Sequence, residues 1–256
     1  RLAGSNKITI NKATPTVTLS KSSASVNYNA EATFTVTPSV AGKWTKIESA
    51  NTTNVTISSP AVNSTATANT ATTIKYKGAQ ATTSATKITI TLTPTDTTNY
   101  NTKTVEFSVT TVNKIANTLT LSDSGAKNHT YGNASNTFTV SKNTSGGTLT
   151  VKDDRSTSAS TISGTTVTVS NLGSLEVGTK VVVTVTSAAT TNYNSATATY
   201  TLTVVKATPV ITLSAAETAG VNYNSTGTFT ATVKSGSGGS IAGTLTATSG
   251  NTTCES

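Results

Sequence analysis

The chain has 256 residues, 34% of them hydrophobic and 11% charged, with 18 Lys and Arg against 10 Asp and Glu for a formal net charge of +8. The length suits two to three ordinary domains. So few charges exclude disorder driven by charge repulsion, and no run of about 20 apolar residues offers a helical membrane span. The basic residues are spread thinly, without a cluster interleaved with aromatics, so nucleic acid is not an expected partner.

Apolar positions alternate with Thr, Ser and Asn, and the branched Cβ of the abundant threonines favours extended backbone. With the single cysteine at Cys254, two residues from the end, no disulfide framework exists within the chain and core packing must hold it. Few oxidisable side chains fit an exported protein. The chain opens at Arg1 with no signal-peptide pattern, so an interior piece of a longer chain is expected.

In chain order, Lys7–Ile10 alternates and runs into Lys12-Ala13-Thr14-Pro15; residues 1–12 read as the final strand of a preceding unit. A first complete unit over 13–112 follows, with strands expected at Thr16–Leu19, Ala32–Val36, Lys43–Ile47, Asn54–Ile57, Thr73–Tyr76, Lys87–Leu92 and Val105–Val109. The segment Val26-Asn27-Tyr28-Asn29 stands between the first two, and a Thr98-Asn99-Tyr100-Asn101 turn precedes the last. A second unit over 113–205 repeats the order: Thr118–Leu121, Thr130-Tyr131-Gly132-Asn133, Thr137–Val140, Thr148–Val151, Ser160–Ser163, Thr166–Val169, Lys180–Val185, Thr191-Asn192-Tyr193-Asn194 and Tyr200–Val204. A third, over 206–256, opens with Val210–Leu213, Val221–Asn224 and Gly227–Thr230 and lacks the later strands. Such a half unit would carry an open core, and completion by strand donation from another copy is a weaker expectation than truncation.

The lysines of the boundary segments, Lys12, Lys114 and Lys206, lie 102 and 92 residues apart, the span of one small β-sandwich. No helical period of useful length occurs, so the expected fold is all-β, tandem sandwiches joined by short linkers that would make a semi-rigid rod.

The recurring order of Lys-Ala-Thr-Pro, an early Tyr beside Asn, Thr-Phe-Thr and a late Thr-Asn-Tyr-Asn resembles the bacterial immunoglobulin-like repeats of bacterial surface proteins and phage structural proteins. That resemblance implies immunoglobulin-like sandwiches and a non-catalytic stalk, spacer or adhesive role outside a bacterial cell, with a phage virion decoration as the alternative. Its implied partners are neighbouring domains of the same chain and surface glycans.

Tyr100 and Tyr193 could stack on sugar rings, but a Tyr just before a closing strand is also where sandwiches tie a loop through the phenol hydroxyl, and its recurrence in both complete units favours that reading. Trp44 is the third glycan-contact candidate, read more readily as core filler. His129, placed in a turn, is the lone histidine and the first unit has none, so no catalytic residues and no enzyme activity are expected. Asp96 and the pair Asp153-Asp154 are poor calcium candidates, since calcium needs several oxygens including two or three carboxylates; they read as solvated turns, and neither metal nor cofactor is expected. A Lys-to-Asn cross-link is disfavoured because Glu106 alternates to the polar face of its strand.

Overall fold

The computed structural model describes residues 8–123, 125–214, 222, 224–235 and 243–248. These fall into two compact units, one made of the chain up to Asn117 together with Ala189–Ser195, the other of Thr118–Ala188 together with the chain from Ala196 on. Among the described residues every regular element is a strand.

The first unit contains nine strands, β1 Val17–Leu19, β2 Ser23–Asn27, β3 Glu31–Pro38, β4 Gly42–Ser49, β5 Val55–Ser59, β6 Ser64–Ala66, β7 Thr72–Gly78, β8 Thr86–Pro94 and β9 Lys103–Asn113. They form two sheets, in the orders β1-β3-β7-β5 and β2-β9-β8-β4-β6. Alternation decides what each strand buries. On β8, Thr86, Ile88, Ile90, Leu92 and Pro94 point inward, while Lys87, Thr89, Thr91 and Thr93 face out. The core is layered on aromatics: Phe34 of β3 stacks on Phe107 of β9 at 3.9 Å and lies 6.0 Å from Tyr76 of β7. Burial of each such side chain contributes roughly 1.5–3 kcal/mol.

Two of the nine strands exceed the seven expected. Strand β2 pairs in parallel with β9, and β6 pairs with the start of β4, Gly42 opposite Ala66 and Trp44 opposite Ser64. Neither Ser-Ala-Ser-Val-Asn nor Ser-Thr-Ala has a strong period of its own; each is extended because a sheet edge offers backbone partners.

The second unit contains β10 Leu119–Leu121, β11 Gly125–Thr130, β12 Asn136–Asn143, β13 Leu149–Asp153, β14 Ser160–Ser163, β15 Thr166–Val169, β16 Lys180–Ser187 and β17 Ala196–Val205. Its sheets run β10-β12-β15-β14 and β11-β17-β16-β13. Phe138 of β12 stacks on Tyr200 of β17 at 4.1 Å, over a floor of Val181, Val183 and Val185. Again a strand, β11, is added in parallel along the closing strand. His129 thus lies on a strand opposite Val204, not in a turn as expected; the turn comes one residue after the strand ends, at Tyr131-Gly132.

A two-stranded sheet pairs β18 Pro209–Leu213 with β19 Ala231–Ser235. Of the expected opening segments there, Val221 and Tyr223 lie outside the described residues, as do residues 1–7. Residues 8–12 carry no strand, and Ile8 and Ile10 are exposed. A closing strand exists only against a neighbour that takes its hydrogen bonds, and none pairs with these residues among those described.

One side chain organises the start of all three repeats. The hydroxyl of Ser20 accepts the Thr35 amide at 2.9 Å, Ser122 that of Thr139 at 3.0 Å, and Ser214 that of Thr230 at 2.8 Å. In return Ser20, Ser122 and Ser214 donate their own amides to the same threonines' carbonyls. Thr-Leu-Ser and Thr-Phe-Thr are therefore two halves of one clamp between the first strand and the next. The clamp forms whether or not a core covers it: Phe34 and Phe138 are buried, yet Phe229 is 57% exposed.

Candidate functional surfaces

The Asn-Tyr-Asn corners are held by their asparagines. The Ala13 amide donates to the Asn99 carbonyl and the Asn101 amide to the Ala13 carbonyl, each at 2.8 Å. Ile115 stands in the same two-way bridge, donating to Asn192 at 3.0 Å and accepting from Asn194 at 2.9 Å. Each corner is thus laced to the residue after its own boundary lysine. Tyr100 and Tyr193 are half-buried, and neither hydroxyl has a hydrogen-bond partner among the described residues. The expected tie through the phenol is therefore a tie through backbone amides. Within the first unit the Tyr193 ring meets Tyr28 edge to face at 5.8 Å, which occupies part of its surface.

Trp44 leaves the set of glycan-contact candidates. It is 0% exposed, with its indole nitrogen donating to Thr72 Oγ1 at 3.2 Å, and an enclosed ring presents no face to a sugar. The asparagine beside the early tyrosine has a backbone role: Asn29 and Asn224 have φ of 62° and 62°, and Gly132 takes the same place with φ of 88°. Only Gly, and Asn or Asp at modest cost, enter that left-handed region readily.

The acidic candidates are all engaged internally. Asp96 accepts the amides of Thr98 and Asn99 and the Asn99 side chain at 2.8–3.1 Å, and the Asn99 bonds hold its carboxyl below the usual range. Asp153, expected in a solvated turn, is buried instead at the end of β13. It accepts Arg155 Nε and Nη2 at 2.8 and 2.9 Å, and its second oxygen takes the hydroxyls of Ser158 and Ser160 and the Ala159 amide. Arg155 Nη1 in turn donates to the carbonyls of Ser170 and Asn171. Hydrogen bonds from Arg155 hold the Asp153 carboxyl far below its ordinary value, and the same pair raises Arg155. Sequence reasoning missed this knot, although Asp153-x-Arg155-x-x-Ser158-x-Ser160 is a local signal that could have found it. Asp154 accepts the Val182 amide at 2.9 Å. Among the described residues no three His, Cys, Asp or Glu gather where they could hold a metal ion. His129 is buried, its Nε2 3.0 Å from the Asn133 carbonyl. Cys254 lies outside the described residues.

The outward faces of the two sheets that contain the closing strands differ. In the first unit most of these side chains satisfy one another, Thr91 with Thr104 at 2.9 Å, Thr45 with Thr93 at 2.8 Å, and the ion pairs Lys87–Glu106 and Lys46–Glu48, while Lys43 and Thr89 stand apart. In the second unit Thr150, Lys152, Thr184, Thr186, Thr197 and Thr199 stand in register on β13, β16 and β17. None of their hydroxyls or the ammonium finds a side-chain partner among the described residues. A shallow depression of about 380 Å³ lies there, lined by Thr150, Val151, Lys152, Thr184 and Thr186.

Both complete units are two-sheet sandwiches, with a first strand on one sheet and a parallel continuation beside the closing strand on the other; the chain is thus of the tandem immunoglobulin-like class. No family model matches the chain, and no curated protein matches it. Among solved structures it is similar to a titin tandem of Ig domains, with 8% identity over 74% of this chain and 97% of that chain and a TM-score of 0.26. The strand order of each unit, and not that superposition, defines the class.

Proposed function

We propose that this chain is a non-catalytic structural and adhesive segment of an exported bacterial surface protein, a stalk of bacterial immunoglobulin-like repeats. The observation that carries the reading is repetition of framework without repetition of chemistry. The serine clamp recurs in three repeats and the asparagine-laced corner in two, while the acids that could catalyse or bind metal are spent on internal bonds. Decoration of a phage virion is the second reading, since the same resemblance embraces phage structural proteins.

The test is immunogold labelling of intact source cells and of purified phage particles, with antibody raised against this chain. Label on the unbroken cell surface supports the stalk. Label on particles replaces it with virion decoration, and label confined to the interior of broken cells overturns both.

A further inference from the structure

We infer that the outward face of the β11-β17-β16-β13 sheet, centred on Lys152, binds a carboxylated polysaccharide chain. This deepens the adhesive part of the function proposed above and rests on it for its biological setting. The face is a grid. Thr150, Thr186 and Thr197 form one row across three strands, and Lys152, Thr184 and Thr199 the next. Rows across strands repeat at about 4.8 Å and positions along a strand at about 6.7 Å, the scale of a sugar ring with its hydroxyls. Each threonine offers one donor and two acceptor sites to a polyol, and its methyl group packs against sugar C–H.

Charge selects among saccharides. Lys152 has no acidic partner among the described residues, and Lys180, opposite Thr203 on the same face, adds a second cation. Asp154, two residues after Lys152, accepts the Val182 amide through one carboxylate oxygen. An ammonium beside free hydroxyls makes charge-assisted bonds to a uronate carboxylate that a neutral glucan cannot return. The first unit serves as the internal control: apart from Lys43 and Thr89, the corresponding groups there are bonded to one another or to a neighbour, so a ligand would have to break Lys87–Glu106 and Thr91–Thr104 to use them. The depression over Thr150, Lys152, Thr184 and Thr186 lies on the unpaired face. A shallow polar site of this kind binds weakly, and a polymer offering many uronates compensates through repeated engagement.

The experiment is affinity electrophoresis of the purified full chain through gels containing alginate or, as the neutral polymer, dextran, with a far-UV melt of every variant to confirm the fold. Retardation by alginate and not by dextran is expected. Lys152→Gln should weaken it about fivefold, the scale of one exposed ion pair, and Thr184→Val about twofold with no change of charge. Lys75→Gln and Lys87→Gln, which remove the same charge from the first unit, should leave retardation within about 1.5-fold. Equal losses from all three lysine variants would reduce the binding to net charge and overturn the site. Equal retardation by dextran would overturn the carboxylate preference, and no retardation by alginate would overturn the proposal outright. A purified protein and a defined polymer report nothing about cellular location, so this failure and that of the stalk are told apart.

Discussion

The two complete units handle the same exposed edge in different ways. In the first, residues 50–71 are long enough to return a strand, and β6 hydrogen-bonds along the outer edge of β4. In the second, residues 154–165 are shorter and no strand pairs with the outer edge of β13 among the described residues. Its end is instead pinned by the Asp153–Arg155 knot, which reaches the carbonyls of Ser170 and Asn171 after β15. One unit protects an edge with backbone, the other anchors it with a buried ion pair. The unpaired threonines and Lys152 stand on the face beside the second edge, whereas the paired side chains of the first unit belong to β4, β8 and β9.

Breaking the knot should have the largest effect. Asp153→Ala removes one partner of a buried pair and should cost about 3 kcal/mol, read as loss of amide-exchange protection over 154–163 while the first unit is unchanged. The pH dependence has a definite sign: because folding depresses the Asp153 carboxyl, its contribution is complete above the unfolded value near about 3.9 and is lost progressively as pH falls below it. The wild type should therefore lose second-unit stability in acid, and the Asp153→Ala protein should show a flatter acid limb in urea midpoints measured from pH 6 to pH 2.5.

The matching change in the first unit is Ala66→Asp, at a fully buried position of β6. A carboxylate there has no partner and should lift the strand away at a cost of about 2 kcal/mol. Exchange should rise at 42–44 and 64–66 with no change in the second unit. If both units responded, the two edges would not be independent solutions.

Smaller changes sharpen the contrast between the cores. The Tyr76 hydroxyl is buried with no hydrogen-bond partner, and burial raises its pKa. The Tyr200 hydroxyl donates to Asn136 Oδ1 at 3.3 Å. Removing an orphaned polar atom relieves a desolvation cost, whereas removing a bonded one strands its acceptor. Tyr76→Phe should therefore stabilise the first unit by about 1 kcal/mol and Tyr200→Phe destabilise the second by about 1 kcal/mol in denaturant titrations. The serine clamp should make no distinction: Ser20→Ala and Ser122→Ala each leave one partly solvated amide without its acceptor and should each cost about 0.5 kcal/mol. Unequal costs would mean that the two clamps are not equivalent.

Strand positions were legible where one face is buried. Lys87–Leu92 and Lys180–Val185 alternate so regularly that only an extended segment could bury one side and wet the other. Strands β2, β6 and β11 were not legible, since Ser-Thr-Ala or Gly-Ala-Lys-Asn-His-Thr carries no period; they form on edges that exist only once other strands have assembled. The candidate sites followed the same division. Tyr100 and Tyr193 stood out by recurrence, but their flanking asparagines do the tying. Trp44 advertised an aromatic face that the core encloses, and the face proposed to bind sugar consists of threonines around Lys152 that look like any other polar alternation in the chain.

From its own residues the chain determined its class and its inward-facing side chains, because the two-residue period of a strand is written into consecutive positions. Only the tertiary structure decided which edges gain a strand, which acid is buried against an arginine and which hydroxyls remain unspent. Those outcomes depend on the register between segments far apart in sequence, as between Lys152 and Thr184 or Thr91 and Thr104, and no local pattern encodes that register.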